Sequence, residues 1–115
     1  MQTSSFTELP ITELQIEPKD LEVLRHELQR LAPGVEVWAY GSRTFGLARR
    51  WSDIDLAVVI PPQDDRYFMA SLCNEIAEGP LMLLADIVNL KQVSADFRKI
   101  VEDHHIVVQS ASIGR

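Results

Sequence analysis

Two stretches of this chain, Ile54 to Ile60 (IDLAVVI) and Leu81 to Leu90 (LMLLADIVNL), are almost wholly apolar, and each is broken by one carboxylate, Asp55 and Asp86. Apolar runs of this length without polar alternation belong to strands covered on both faces, as in α/β layers; a strand with one wet face alternates instead. Between them, Phe68, Met69, Leu72 and Ile76 recur at helical spacing over residues 64–78, and Gly79-Pro80 ends that helix. A strand–helix–strand unit of this kind places its two strands in one sheet by a right-handed crossover. The expected fold is therefore α/β, a small sheet with helices packed on it.

The remaining segments fit that layer. Pro18 stands where proline favours a first helical turn, with Asp20 and Glu22 at the positive end of the helix dipole. Leu21, Leu24, Leu28 and Leu31 then mark an amphipathic helix that Pro33-Gly34 stops. Val35 to Tyr40 reads as a strand ending at Gly41. Ser94 is a plausible N-cap for a last helix carrying Phe97, Ile100 and Val101, and Ile106 to Val108 adds a short strand. Residues 1–17, with Phe6, Leu9, Ile11, Leu14 and Ile16 scattered among polar neighbours, read as an irregular arm lying on the domain.

At 115 residues the chain makes one domain with one modest core. No apolar run approaches the roughly 20 residues that span a membrane, and the N-terminus lacks the basic start and apolar stretch of a signal peptide. The single cysteine, Cys73, cannot close an internal disulfide and suits a reducing compartment, so a cytoplasmic location is expected. The net charge of −6 argues against nucleic acid as a direct partner, since binding a phosphate backbone needs a cationic face. The exception is local: Arg43, Arg49 and Arg50 form one basic cluster.

The chemistry is concentrated between Tyr40 and Leu56. Alternation along a strand puts Asp53 and Asp55 on one face and turns Ile54 and Leu56 to the other. Two like charges at the mouth of an apolar strand repel each other and lose hydration unless a cation compensates. Magnesium suits the task, because it prefers carboxylate oxygens and leaves positions for water and phosphate. The plainer alternative makes Asp53 a turn residue and Asp55 a wet edge. Asp86 interrupts the second apolar run, where an unpaired charge costs several kcal/mol by order of magnitude. It either pairs with an arginine or joins Asp53 and Asp55 as a third ligand. Gly41-Ser42 closes the first strand: glycine lets a phosphate approach the backbone, and Ser42 offers a hydroxyl and an N–H at the start of a short helical turn. Arg43, with Arg49 and Arg50, lies within reach of such a phosphate, and a guanidinium grips phosphate with its planar fork. Gly46 lets the connector fold back. Trp51 reads as packing for that connector, with base stacking the alternative.

Other chemistries find no support. His104 and His105 are adjacent and diverge, no Cys/His set has metal spacing, and Ser42 is not in a Gly-x-Ser-x-Gly elbow. There is no Walker lysine, and Cys73 beside Leu72 reads as a small core residue.

Gly41-Ser42, ten residues, then Asp53-Ile54-Asp55 resembles the Gly-Ser-x10-Asp-x-Asp pattern of the nucleotidyltransferase superfamily that includes DNA polymerase beta. Asp86 fits that superfamily's third carboxylate, and the chain looks like the MNT-type (minimal nucleotidyltransferase) antitoxins that accompany HEPN-domain toxins. The resemblance covers residues 35–90. It implies a two-layer nucleotidyltransferase fold in which Asp53 and Asp55 contact two magnesium ions. Asp86 would hold the catalytic ion and assist deprotonation of the attacking hydroxyl, while Gly41 and Ser42 grip the triphosphate. It further implies transfer of AMP from MgATP to a tyrosine of a HEPN-domain toxin. Two other functions are compatible with the residues: a non-catalytic nucleotide-binding antitoxin acting by contact, and a transferase for a small hydroxylated molecule such as an aminoglycoside. Three mutually repelling acids favour an enzyme over an inert binder. The missing helical domain, which in larger relatives closes over the acceptor, disfavours the small-molecule reading.

Overall fold

The computed structural model describes residues 8–62 and 65–111. Phe6 of the expected arm and residue 64 of the expected second helix lie outside the described residues. Within them the elements run β1 (Glu8–Leu9), a 3-10 turn (Ile11–Glu13), α1 (Pro18–Leu31), β2 (Val37–Tyr40), a second 3-10 turn (Gly41–Thr44), β3 (Ile54–Val58), α2 (Asp65–Glu78), β4 (Ala85–Asn89), α3 (Ala95–Asp103) and β5 (His105–Gln109). The strands form one mixed sheet in the order β1-β5-β2-β3-β4. β3 and β4 run parallel across the α2 crossover, as the two apolar runs require, while β2 is antiparallel to both β3 and β5.

The two faces of the sheet are covered unequally. Leu24 and Leu28 of α1, with Leu72 and Ile76 of α2, pack on Val37, Ala39, Ile54, Leu56, Val58, Ile106 and Val108 to form the main core. The other face carries a smaller cluster, Trp38, Ala57, Leu90 and Val101, under α3 alone. Nine residues of α3 cannot cover a sheet that two fourteen-residue helices cover on the opposite side.

Local signals explain the boundaries. Pro18 stands in the first turn of α1 and Asp20 lies there too. The Ser94 hydroxyl caps α3 by accepting from the Phe97 N–H at 3.1 Å. Gly34 and Gly46 turn the chain with φ of 79° and 74°.

Three expectations need correction. The run from Leu81 is a strand only from Ala85; Met82 and Leu84 point to solvent, and β4 is a half-covered edge strand rather than one buried on both faces. The N-terminal arm is not wholly irregular, since Glu8–Leu9 pairs with β5 as β1 and Ile11–Glu13 forms a 3-10 turn, while the expected C-terminal strand is β5, between β1 and β2. Ile100, expected on the core face of α3, is exposed.

Candidate functional site

The strand register determines what shares the thinly covered face. Tyr40 is opposite Asp55 across β2–β3, and Asp55 is opposite Asp86 across β3–β4. Residues in register on neighbouring strands project to the same side, so Asp55 and Asp86 are side by side. Asp53, two residues before Asp55, approaches from the loop that leads into β3. The electrostatics report the same gathering. Burial raises the Asp55 carboxyl above the usual range, and the charges of Asp86 and Asp53 push it further in that direction. The Tyr40 phenol is pushed up to about 12, chiefly by burial and then by Asp55 and Asp86, which keeps it protonated at neutral pH. Cys73 also feels Asp86; its thiol is raised mainly by burial, and Sγ is 3.9 Å from the Ile87 carbonyl oxygen.

Gly41 and Ser42 open the 3-10 turn that follows β2, as the sequence suggested, and Gly41 has φ of 82°. A side chain at Gly41 would run into Asp55 Oδ2, so the bare backbone is what lets this carboxylate lie against the turn. The glycine thus serves the carboxylate at this point, where the sequence had suggested only room for phosphate.

Arg43 corrects an expectation. It is only 6% exposed, and its guanidinium is spent on backbone carbonyls rather than offered to a phosphate. Nη1 donates to Gln15 O at 2.6 Å, Nη2 to Ser52 O at 2.8 Å and Nε to Ser52 O at 3.2 Å. Arg49 and Arg50 remain on the surface. Trp51, expected to pack the connector, is 83% exposed with the Arg50 guanidinium 5.2 Å above its ring. His104 and His105 do diverge. His104 stacks on Phe45 beside the Ser42 turn, and His105 stacks on Trp38 in the smaller core.

A cleft of about 870 Å³ opens away from the carboxylates. It is lined by Leu14, Ile16, Arg49, Arg50, Trp51 and Met82 among others, and it contains none of the three acids. The acids occupy an open face instead, with Asp53 and Asp86 exposed and Asp55 half-buried. Among the described residues no three carboxylate, imidazole or thiol groups stand close enough to enclose a metal ion unaided. An all-oxygen donor set, with one carboxyl raised by burial and then by its acidic neighbours, suits a hard divalent cation.

Sequence reasoning missed two residues here. Tyr40 packs edge-on against Phe97 of α3 and faces the acids, which the strand alternation alone would have shown once the β2–β3 register was known. Gln15 reaches the site loop from the N-terminal arm, and nothing in the sequence marks it.

A Gly-Ser turn against a carboxylate-bearing parallel strand pair is the arrangement of a nucleotidyltransferase. Residues 22–113 match the family described as Polymerase beta, Nucleotidyltransferase, and the chain belongs to that family. Over 97 residues it is 33% identical to a probable protein adenylyltransferase, MntA, of Haemophilus influenzae, covering 84% of this chain and 85% of that protein. Two solved structures share the fold. One is a toxin–antitoxin crystallised with AMP-PNP (TM-score 0.64, 23% identity, 79% of this chain and 73% of that one). The other is a tri-AMPylated Shewanella oneidensis HEPN toxin in complex with MNT antitoxin (TM-score 0.60, 18% identity, 84% and 74%).

Proposed function

We propose that the chain acts as a single minimal nucleotidyltransferase domain in the cytoplasm, transferring AMP from MgATP to a hydroxyl of a HEPN-domain toxin and thereby silencing it. The observation that carries this reading is the side-by-side placement of Asp55 and Asp86, with the charge of Asp53 close by and Asp55 lying against Gly41. The resemblance to a probable protein adenylyltransferase and to toxin–antitoxin complexes supplies the acceptor class.

Asp53, Asp55 and Asp86 would hold two magnesium ions, which supply charge neutralisation between the acids and the triphosphate. The Gly41 and Ser42 backbone and the Ser42 hydroxyl bind the phosphate oxygens. Asp86, exposed at the edge of the sheet, would accept the proton of the incoming hydroxyl. The hydroxyl oxygen bonds to the α-phosphorus as the bond from that phosphorus to the bridging oxygen breaks, and pyrophosphate carries off the electron pair. Positioning and charge stabilisation supply most of the rate in such a transfer. The acids lie on an open face among the described residues, so the docked acceptor protein would exclude water from it.

The test is to incubate the chain with MgATP and a candidate HEPN-domain toxin, then weigh the acceptor by mass spectrometry. The unmutated chain should add AMP units and Asp86→Asn should add none. Equal neutralisation by both with no mass gain would establish a contact antitoxin instead.

A further inference from the structure

We infer that Gln15 and Arg43 form a two-sided clamp that sets the position of the loop delivering Asp53, which makes both of them positioning residues for the nucleotide site; this rests on the nucleotide reading above. Residues 45–51 give the loop little apolar anchorage. Phe45, Leu47 and Trp51 are all exposed, and only the stack of Phe45 on His104 holds a side chain of this stretch against the domain by ring contact. Gly46, with φ of 74°, has open space around it. The loop is held by polar contacts instead, and apart from Arg49 N donating to Ser52 Oγ at 2.8 Å within the loop, they converge on two side chains.

Arg43 grips the far end. Its Nε and Nη2 both donate to the carbonyl of Ser52, the carbonyl of the peptide bond that joins Ser52 to Asp53, and Nη2 also reaches Arg50 O at 3.5 Å. A planar fork on one carbonyl fixes the orientation of that peptide, and hence the direction in which Asp53 leaves it. Gln15 grips the middle. Its side-chain amide donates to Ala48 O at 2.9 Å and accepts from Ala48 N at 3.0 Å, the pairing one strand offers another. The two residues are also tied to each other, Gln15 N donating to Arg43 O at 2.8 Å and Arg43 Nη1 to Gln15 O at 2.6 Å. Arg43 directly follows Ser42, whose own carbonyl accepts from Phe45 N and Leu47 N. One buried guanidinium therefore references the turn proposed to bind phosphate to the peptide preceding Asp53. No carboxylate pairs with that guanidinium among the described residues, so backbone carbonyls alone satisfy it.

The test measures Mg²⁺–AMP-PNP affinity by calorimetry, and amide hydrogen exchange of residues 47–53 in the protein without ligand. Arg43→Met should bind about tenfold more weakly, since loose placement of a ligand-bearing loop is costly. It should exchange faster at Leu47 and Ala48 while the β2, β3 and β5 amides stay protected. Arg43→Lys should recover part of both, and Gln15→Ala should lose about threefold in affinity through the same loop. The salt dependence of binding should match that of the unmutated chain, because the clamp touches no phosphate. An Arg43→Met protein with unchanged affinity would overturn the clamp. So would an affinity loss with a flattened salt dependence, which marks a direct phosphate contact. If Arg43→Met does not fold, Gln15→Ala decides alone: its exposed side chain serves only the loop, and unchanged affinity there overturns the clamp. An unmutated chain that takes up no Mg²⁺–AMP-PNP would overturn the nucleotide reading itself, and the clamp as a device of that site with it. Faster exchange at Ala48 in the variants would then report a loop brace only.

Discussion

The two faces of β3 behave as if they belonged to different proteins. On one, Ile54, Leu56 and Val58 are fully buried against α1 and α2. On the other, Asp53 and Asp55 precede Ala57 and face a helix too short to cover them. A strand has period two, so five residues can serve both demands without compromise at either. The apolar face contributes stability at each position. The acidic face gathers like charges that oppose one another and that, on the proposed reading, a bound cation would offset.

The contrast is sharpest where a substitution should act on one face only. Leu56→Ala removes a fully buried side chain and should cost about 2–5 kcal/mol. Chemical denaturation gives the value, and a cost below 1 kcal/mol would show that the main core is loosely packed. Gly41→Ala should cost less, about 1–3 kcal/mol, through strain at a positive φ and the collision with Asp55. It should also impair nucleotide binding beyond the stability loss. Thermal melts paired with calorimetry separate the two effects, and intact binding would detach the turn from the site.

A smaller effect belongs to the α3 side. His105 is buried against Trp38, with Nδ1 donating to Val101 O and Glu102 O, and burial lowers its pKa below the usual 6.5. A depressed value means the folded state resists the proton. Its contribution to stability is complete above pH 6.5 and is lost as pH falls through the depressed value. An NMR titration should place the His105 midpoint below 6.5. A midpoint at or above 6.5 would contradict the packing described for this face.

How legible all this was in the sequence follows the same division. The apolar runs, the helix between them and the Gly41-Ser42 to Asp55 spacing were readable because period and turn chemistry are local. The adjacency of Asp55 and Asp86 was readable because a crossover joins their strands. What failed was set by partners distant in sequence. Arg43 reads as a phosphate ligand until Gln15, from another segment, takes its Nη1. Leu84 reads as strand until β4 proves to be the sheet edge, and Glu8–Leu9 reads as irregular arm until β5 pairs with it.

The claim that one face holds ligand-dependent charge is tested most directly by the melting temperature of Asp55→Asn beside the unmutated chain, without ligand and with Mg²⁺–AMP-PNP. Asp55 has a raised carboxyl, so the stability it contributes is present below its ordinary value of 3.8 and is lost as pH rises through the raised one. Without ligand at pH 7, Asp55→Asn should therefore melt higher than the unmutated chain, and the gap should close as pH falls below 3.8. With saturating Mg²⁺–AMP-PNP the order should reverse, because only the unmutated chain gains the full binding linkage. An Asp55→Asn protein that melts lower without ligand, or an unmutated chain that Mg²⁺–AMP-PNP does not shift, would contradict the account.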